Sequence, residues 1–132
     1  MVCERASAAD LDHVAEHLIP QGPDVGRSEW LRTSWQFHVE LVRLSGNDLY
    51  VEAMADVMQR LARVRWLEIS DHTGRMRTIV EHREILNHIR QRDVVAAQAA
   101  VTAHAMETTR RHQATLAAAA MSNGAAIIGE YS

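Results

Sequence analysis

An all-α fold, an antiparallel bundle of about five helices, is what this sequence predicts, and three observations predict it. Apolar residues recur at three-and-four spacing along most of the 132 residues. Gly and Pro are scarce, with six and two in the chain, and both prolines, Pro20 and Pro23, fall between Ile19 and Arg27. No segment reads as a strand, an internal repeat or a low-complexity linker, so helices joined by short turns are the economical architecture.

The first helix starts where Ser7 and Asp10 offer a cap, and it carries Leu11, Val14, Ala15 and Leu18 on one face. The proline-bearing loop ends it. Ser28 is the candidate cap of a second helix over about Glu29 to Leu44, and Ser45-Gly46-Asn47-Asp48 supplies a stop and a fresh cap. A third runs from about Leu49 to Ile69 with Met54, Met58 and Leu61 at helical spacing, a core stripe rather than a ligand box, and Asp71 to Gly74 breaks it. The fourth covers about Arg75 to Arg90. Asp93 caps the fifth, whose alanine-rich body reaches about Ala120 before Ser122-Asn123-Gly124 stops it. This divides the chain into a helical domain over 1–124 and a short apolar tail over 125–132.

Composition narrows the function classes. Fourteen basic residues, all Arg, face seventeen acidic ones for a formal net charge of -3, and the arginines form no run that would track phosphates. The single Cys3 excludes an intrachain disulfide and an all-Cys zinc site. No apolar run approaches the roughly 20 residues of a membrane span, and the N-terminus lacks the charge-then-apolar order of a signal peptide. A soluble cytoplasmic protein without a membrane partner is the expectation.

Eight histidines leave the question of which ones face inward. Trp30, Ser34, Phe37, His38, Leu41 and Ser45 form one stripe of the second helix. Ile79, His82, Leu86 and Ile89 form one on the fourth, and Val94, Ala97, Val101, His104 and Thr108 one on the fifth. Three helices thus each turn one imidazole inward. A shared divalent metal ion would satisfy three buried rings at once, zinc or another first-row ion such as nickel or manganese, with a coordination position left for water or a ligand. Phase alone leaves open the alternative that each ring bonds a backbone carbonyl, because periodicity does not fix the height at which stripes meet.

Other constellations carry less. His13 and His17 stand one turn apart but flank an apolar face; His72 falls in a turn; His88 and His112 have polar neighbours. The Glu-x-x-His pairs of di-iron bundles are absent, as are a phosphate loop, a nucleophile elbow and a Cys-His pair. No carboxylate shares the histidine stripes to serve as a general base. Arg65 continues the stripe after Leu61, from where its guanidinium either reaches a buried carboxylate or snorkels to water.

Phe37-His38, Ser45-Gly46-Asn47, Glu81-His82-Arg83-Glu84-Ile85-Leu86 and Ala103-His104 follow one another in an order and spacing that resembles the FCD domain. This domain is the C-terminal effector-binding module of GntR-family bacterial transcription regulators, and the resemblance spans about Glu4 to His112. It implies a helical bundle, usually a homodimer, in which one Asp and three His hold a divalent metal above a pocket for a small organic acid. The three histidines correspond to His38, His82 and His104, while the family's Asp falls on Ser34, a departure that removes one negative ligand. Regulators of this family bind DNA through an N-terminal winged helix, and nothing before Glu4 forms one, so contact with DNA would have to come through a domain missing from this chain.

The expectation is therefore a non-enzymatic sensor: metal on His38, His82 and His104, a small carboxylate effector, and Ser34 and Arg65 as ligand contacts. Two rivals are a small metal-dependent hydrolase or lyase on the same centre, and a structural helical dimerisation module.

Overall fold

The computed structural model describes residues 1–68 and 72–130, with side chains described through residue 124. Among the described residues there are seven helices and no strand: α1 Val2–Arg5, α2 Ala8–Leu18, α3 Arg27–Arg43, α4 Asp48–Arg60, α5 Ala62–Glu68, α6 His72–Arg90 and α7 Val94–Glu130. The all-α expectation holds. The count exceeds five because the short α1 precedes the first expected helix and because the expected third helix divides at Leu61.

Local chemistry sets the boundaries. At the start of α2, Ser7 Oγ accepts from the Asp10 N–H and the Asp10 carboxylate accepts from the Ser7 N–H, each at 3.0 Å, a reciprocal capping box. Helix α3 begins one turn before Trp30, behind Gly26 and without a side-chain cap, so Ser28 lies inside it rather than capping it. Tertiary contacts hold that entry instead: Arg75 donates to the carbonyls of Pro23 and Val25 at 2.7 and 2.8 Å, and its guanidinium lies 5.0 Å from the Trp30 ring centroid.

The α3–α4 turn follows the expected signals, with Gly46 at φ 74° and Asn47 Oδ1 accepting from the Leu49 N–H at 3.1 Å. At Leu61 the backbone flattens to ψ -3°, yet Leu61 still donates to Val57 and Arg65 to Leu61, so the chain bends without leaving a helical path. Ile69 and Asp71, the expected end and breaker of that helix, lie outside the described residues. His72 and Gly74 belong to the first turns of α6 rather than to a loop. Between α6 and α7, Asp93 caps as expected, its Oδ1 accepting from the Ala96 N–H at 3.0 Å.

Helix α7 does not stop at Ser122-Asn123-Gly124 but continues to Glu130. One Gly in a helix costs only about 1 kcal/mol relative to Ala, and the alanines around it offset that cost.

The core is built where α1, α2, α3 and α6 meet the start of α7, with Leu11, Val14, Leu18, Phe37, Leu41, Ile79, Ile85, Leu86 and Ile89 buried together. Helix α6 packs along α7, α2 lies against both α3 and α6, and α5 packs on α7. The expected stripes of α2, α3 and α6 are the buried ones, but on α7 Val94 and Val101 are exposed. Ala97 and His104 are the α7 stripe residues that go inside; the small Ala97 leaves room for α6 to approach. Of the α4 stripe Met58 is buried, while Met54 and Leu61 are half-buried.

Candidate metal centre and cavity

Three helices deliver the imidazoles to one height. The candidate ligand atoms of His38 on α3, His82 on α6 and His104 on α7 all lie within 4.8 Å of one another. His82 and His104 are 2% and 8% exposed, and His38 is half-buried. Phe37, with no exposed surface, sets the arrangement: its ring stacks on His82 at 3.8 Å with an interplanar angle of 5° and meets His38 edge-on. Neighbouring positions on α3 therefore supply one ring of the cluster and the platform for another.

The donor set fits a divalent ion. His82 Nε2 and His104 Nε2 are 3.3 Å apart. Two nitrogens bound tetrahedrally to one zinc at 2.0–2.1 Å would be separated by about 3.3 Å. His104 Nδ1 lies 2.7 Å from Glu81 Oε2, and since a carboxylate only accepts, Nδ1 carries the proton and Nε2 presents its lone pair to the cluster. Burial, with the neighbouring His104 and Arg65 adding to it, pushes His38 down to about 3. Burial likewise drives His82 well below the ordinary imidazole range, with the other two rings and Arg65 and Arg111 acting in the same direction. Both rings are thus neutral at physiological pH, the form that ligates a metal.

No carboxylate was expected on the histidine stripes, and Glu81 reaches the centre from off the α6 stripe. It neighbours His82 in sequence, hence stands about 100° round the helix from it, and a stripe count misses it. It reaches α7 from the side of α6 and is itself approached by Arg111 Nη2 at 3.5 Å.

Ser34 is buried and donates to the Leu31 carbonyl at 3.3 Å, while its Oγ accepts from Arg65 Nη2. Among the described residues the guanidinium of Arg65 therefore ends on a hydroxyl rather than on a buried carboxylate. Burial pulls Arg65 down to about 10, with Glu68 acting in the opposite sense, so it stays cationic near neutral pH.

These groups line a cavity of about 350 Å³ that takes in Ser34, His38, Arg65, His82 and His104. Four arginines, Arg65, Arg75, Arg110 and Arg111, and a single carboxylate, Glu68, are its charged lining among the described residues. Such a surplus of positive charge in a concave site draws an anion.

The other histidines divide. His13 and His17 are exposed with ring centroids 4.6 Å apart and gather no third ligand among the described residues. His112, set aside in sequence for its polar neighbours, is 8% exposed and lines the cavity with its Nδ1 2.7 Å from Glu68 Oε1. Two i+4 steps from His104 through Thr108 would have found it, since such steps stay near one helix face.

A family model described as the FCD domain matches residues 1–108. No curated protein and no solved structure matches the chain.

Proposed function

The chain belongs to the FCD domain family, the effector-binding regulatory domains of GntR-type transcription regulators, and from that premise we propose that His38, His82 and His104 hold a divalent metal ion and that a small carboxylate is the effector. The observation that carries this reading is the set of three imidazoles within 4.8 Å of one another, with Glu81 behind His104. Zinc suits three neutral nitrogens best, and nickel or manganese are the alternatives. Bound there, the ion would supply a positive pole with an open position for an oxygen ligand.

The rest is the work of this chain's own side chains. Glu81 fixes the His104 ring and its tautomer. Phe37 holds the plane of His82. Ser34 in place of a carboxylate leaves the centre one negative charge poorer than the family pattern, and Arg65, joined to it, adds a cation. A carboxylate would therefore meet charge from two sides. Glu81 is engaged by His104 and Arg111, which favours a binding site over a hydrolytic one.

Since the ligands come from α3, α6 and α7, an effector that draws them together binds one packing of these helices better than another and shifts that equilibrium. In a cytoplasmic homodimeric regulator this change would be passed to DNA-binding domains.

Metal analysis of purified protein tests the centre: about one ion per chain is expected, reduced in both His82→Ala and His104→Ala. A wild type free of metal after growth and purification in metal-replete conditions would sink the reading. Thermal shift against organic acids, with and without chelator, tests the effector, the expected result being stabilisation that the chelator abolishes.

A further inference from the structure

Helix α2 turns Leu11, Val14 and Leu18 into the core, so His13 and His17, one turn apart, share its outer face. Both rings are exposed, and their centroids lie 4.6 Å apart. Two imidazoles bound side by side to one ion through nitrogens at about 2.0–2.1 Å place their centroids roughly 4.5–5.2 Å apart, so the pair stands close to a chelating arrangement. Of the three carboxylates on α2, Asp10 is held in the capping box and Asp12 is paired with Arg90 at 2.8 Å. The remaining one, Glu16, has its Oε2 4.0 Å from His17 Nε2 and is well exposed, which leaves it free to swing toward the pair. Beside it the chain forms a recess lined by His17, Glu16, Asp24 and Glu29, with no arginine in its lining. Where the cavity of the three-histidine centre gathers positive charge, this recess gathers negative charge and draws a cation.

We propose that His13 and His17 form a second, surface metal site that takes a first-row transition ion, with Glu16 supplying an oxygen and water the remaining positions. Imidazole suits copper(II), nickel and zinc, whereas magnesium and calcium prefer all-oxygen sites, so the pair selects the former class. The order His13-x-x-Glu16-His17 also occurs in helix-borne zinc proteases. Catalytic zinc nevertheless keeps three protein ligands, and among the described residues no third ligand atom stands within the compact grouping that His38, His82 and His104 make, so this is a binding site and not a hydrolytic one. With two histidines and exposure to water it holds its ion more weakly than the buried centre and gives it up on desalting. An ion there ties together two positions on the last two turns of α2, the helix that packs on both α3 and α6. The site shares no residue with the three-histidine centre, and neither depends on the other.

Untagged protein is desalted and then dialysed to equilibrium against free zinc, copper(II) or magnesium, from about 1 μM to about 1 mM. Wild type is expected to take up one further, exchangeable zinc ion per chain, to bind copper(II) at least ten-fold tighter than zinc, and to show no comparable uptake of magnesium. His13→Gln and His17→Gln, both at exposed positions, should each weaken that uptake at least ten-fold while the metal retained after desalting and the helicity stay at wild-type values. His82→Ala should do the reverse, losing retained metal and keeping the exchangeable ion. No exchangeable zinc in wild type, uptake unchanged in both glutamine variants, or magnesium bound as well as zinc overturns the site. A wild type that retains no metal after desalting but shows the histidine-dependent exchangeable ion supports this site and overturns the three-histidine centre alone.

Discussion

Glu81 is the residue whose removal separates positioning from ligation. It touches the centre only through His104 Nδ1, so Glu81→Gln should leave the three imidazoles in place while weakening the hold on their orientation. Outer carboxylates of this kind are typically worth about 10–100-fold in metal affinity. A chelator-competition titration should show a loss in that range with helicity unchanged, and wild-type affinity would remove Glu81 from the site. The histidines also make a pH prediction. Burial, reinforced by His104 and Arg65, holds His38 at about 3 in the folded chain, against 6.5 when it is free, and burial shifts His82 in the same direction. Between those values the unfolded chain binds more protons, so metal-free stability is complete above about 6.5 and falls as pH drops toward 3. The urea midpoint of chelator-treated protein should therefore be lower at pH 5 than at pH 7, and His38→Gln should reduce the difference. These shifts were not legible in the sequence, because they depend first on how deeply packing buries each ring and then on how closely the rings from separate helices approach.

At the scale of elements, turns and caps are where the sequence speaks most directly. Gly46 occupies φ 74°, and a Cβ there would also stand 2.8 Å from the Arg5 guanidinium carbon. The side chain can move aside but the backbone cannot, so Gly46→Ala should lower stability by about 1–2 kcal/mol, read as a denaturant-midpoint shift without a change of slope. Arg92 at φ 54° is a subtler case: it reaches the carbonyls of Cys3 and Ala6, tying α1 to the α6–α7 turn. No local pattern announces that role, since the partners lie 89 and 86 residues away. No breaker residue marks the bend at Leu61, and the run of α7 through Gly124 departs from the expected stop for a separate reason. Breaker residues act by small free-energy increments, and neighbouring helix formers and tertiary packing override them.

For the whole molecule, the two sides of the bundle do different work. Phe37 joins them, being fully buried in the apolar core and stacked on His82. Phe37→Ala should cost about 3–5 kcal/mol, as loss of a large buried ring does elsewhere, and should also lower metal affinity. Calorimetric melting with and without added zinc would reveal both effects, and a metal-dependent stabilisation equal to that of wild type would uncouple core from centre. Coupling in the other direction follows from linkage: an effector at 100 times its Kd should stabilise the fold by about 2.7 kcal/mol.

Read by itself, the sequence determined the helical class, because three-and-four periodicity and the scarcity of Gly and Pro leave little else. It also determined which faces of α2, α3 and α6 turn inward, and with them His38 and His82, since phase along one helix is a local property. His104 was found on a stripe whose valines proved exposed. Its place rests on the position of one helix relative to another. Only the tertiary structure decided that the three rings meet at one height, that Glu81 backs one of them, that Arg65 ends on Ser34, and that His112 shares the cavity. Distances between helices depend on the sizes of all the side chains packed between them, and no spacing within a single helix encodes that sum.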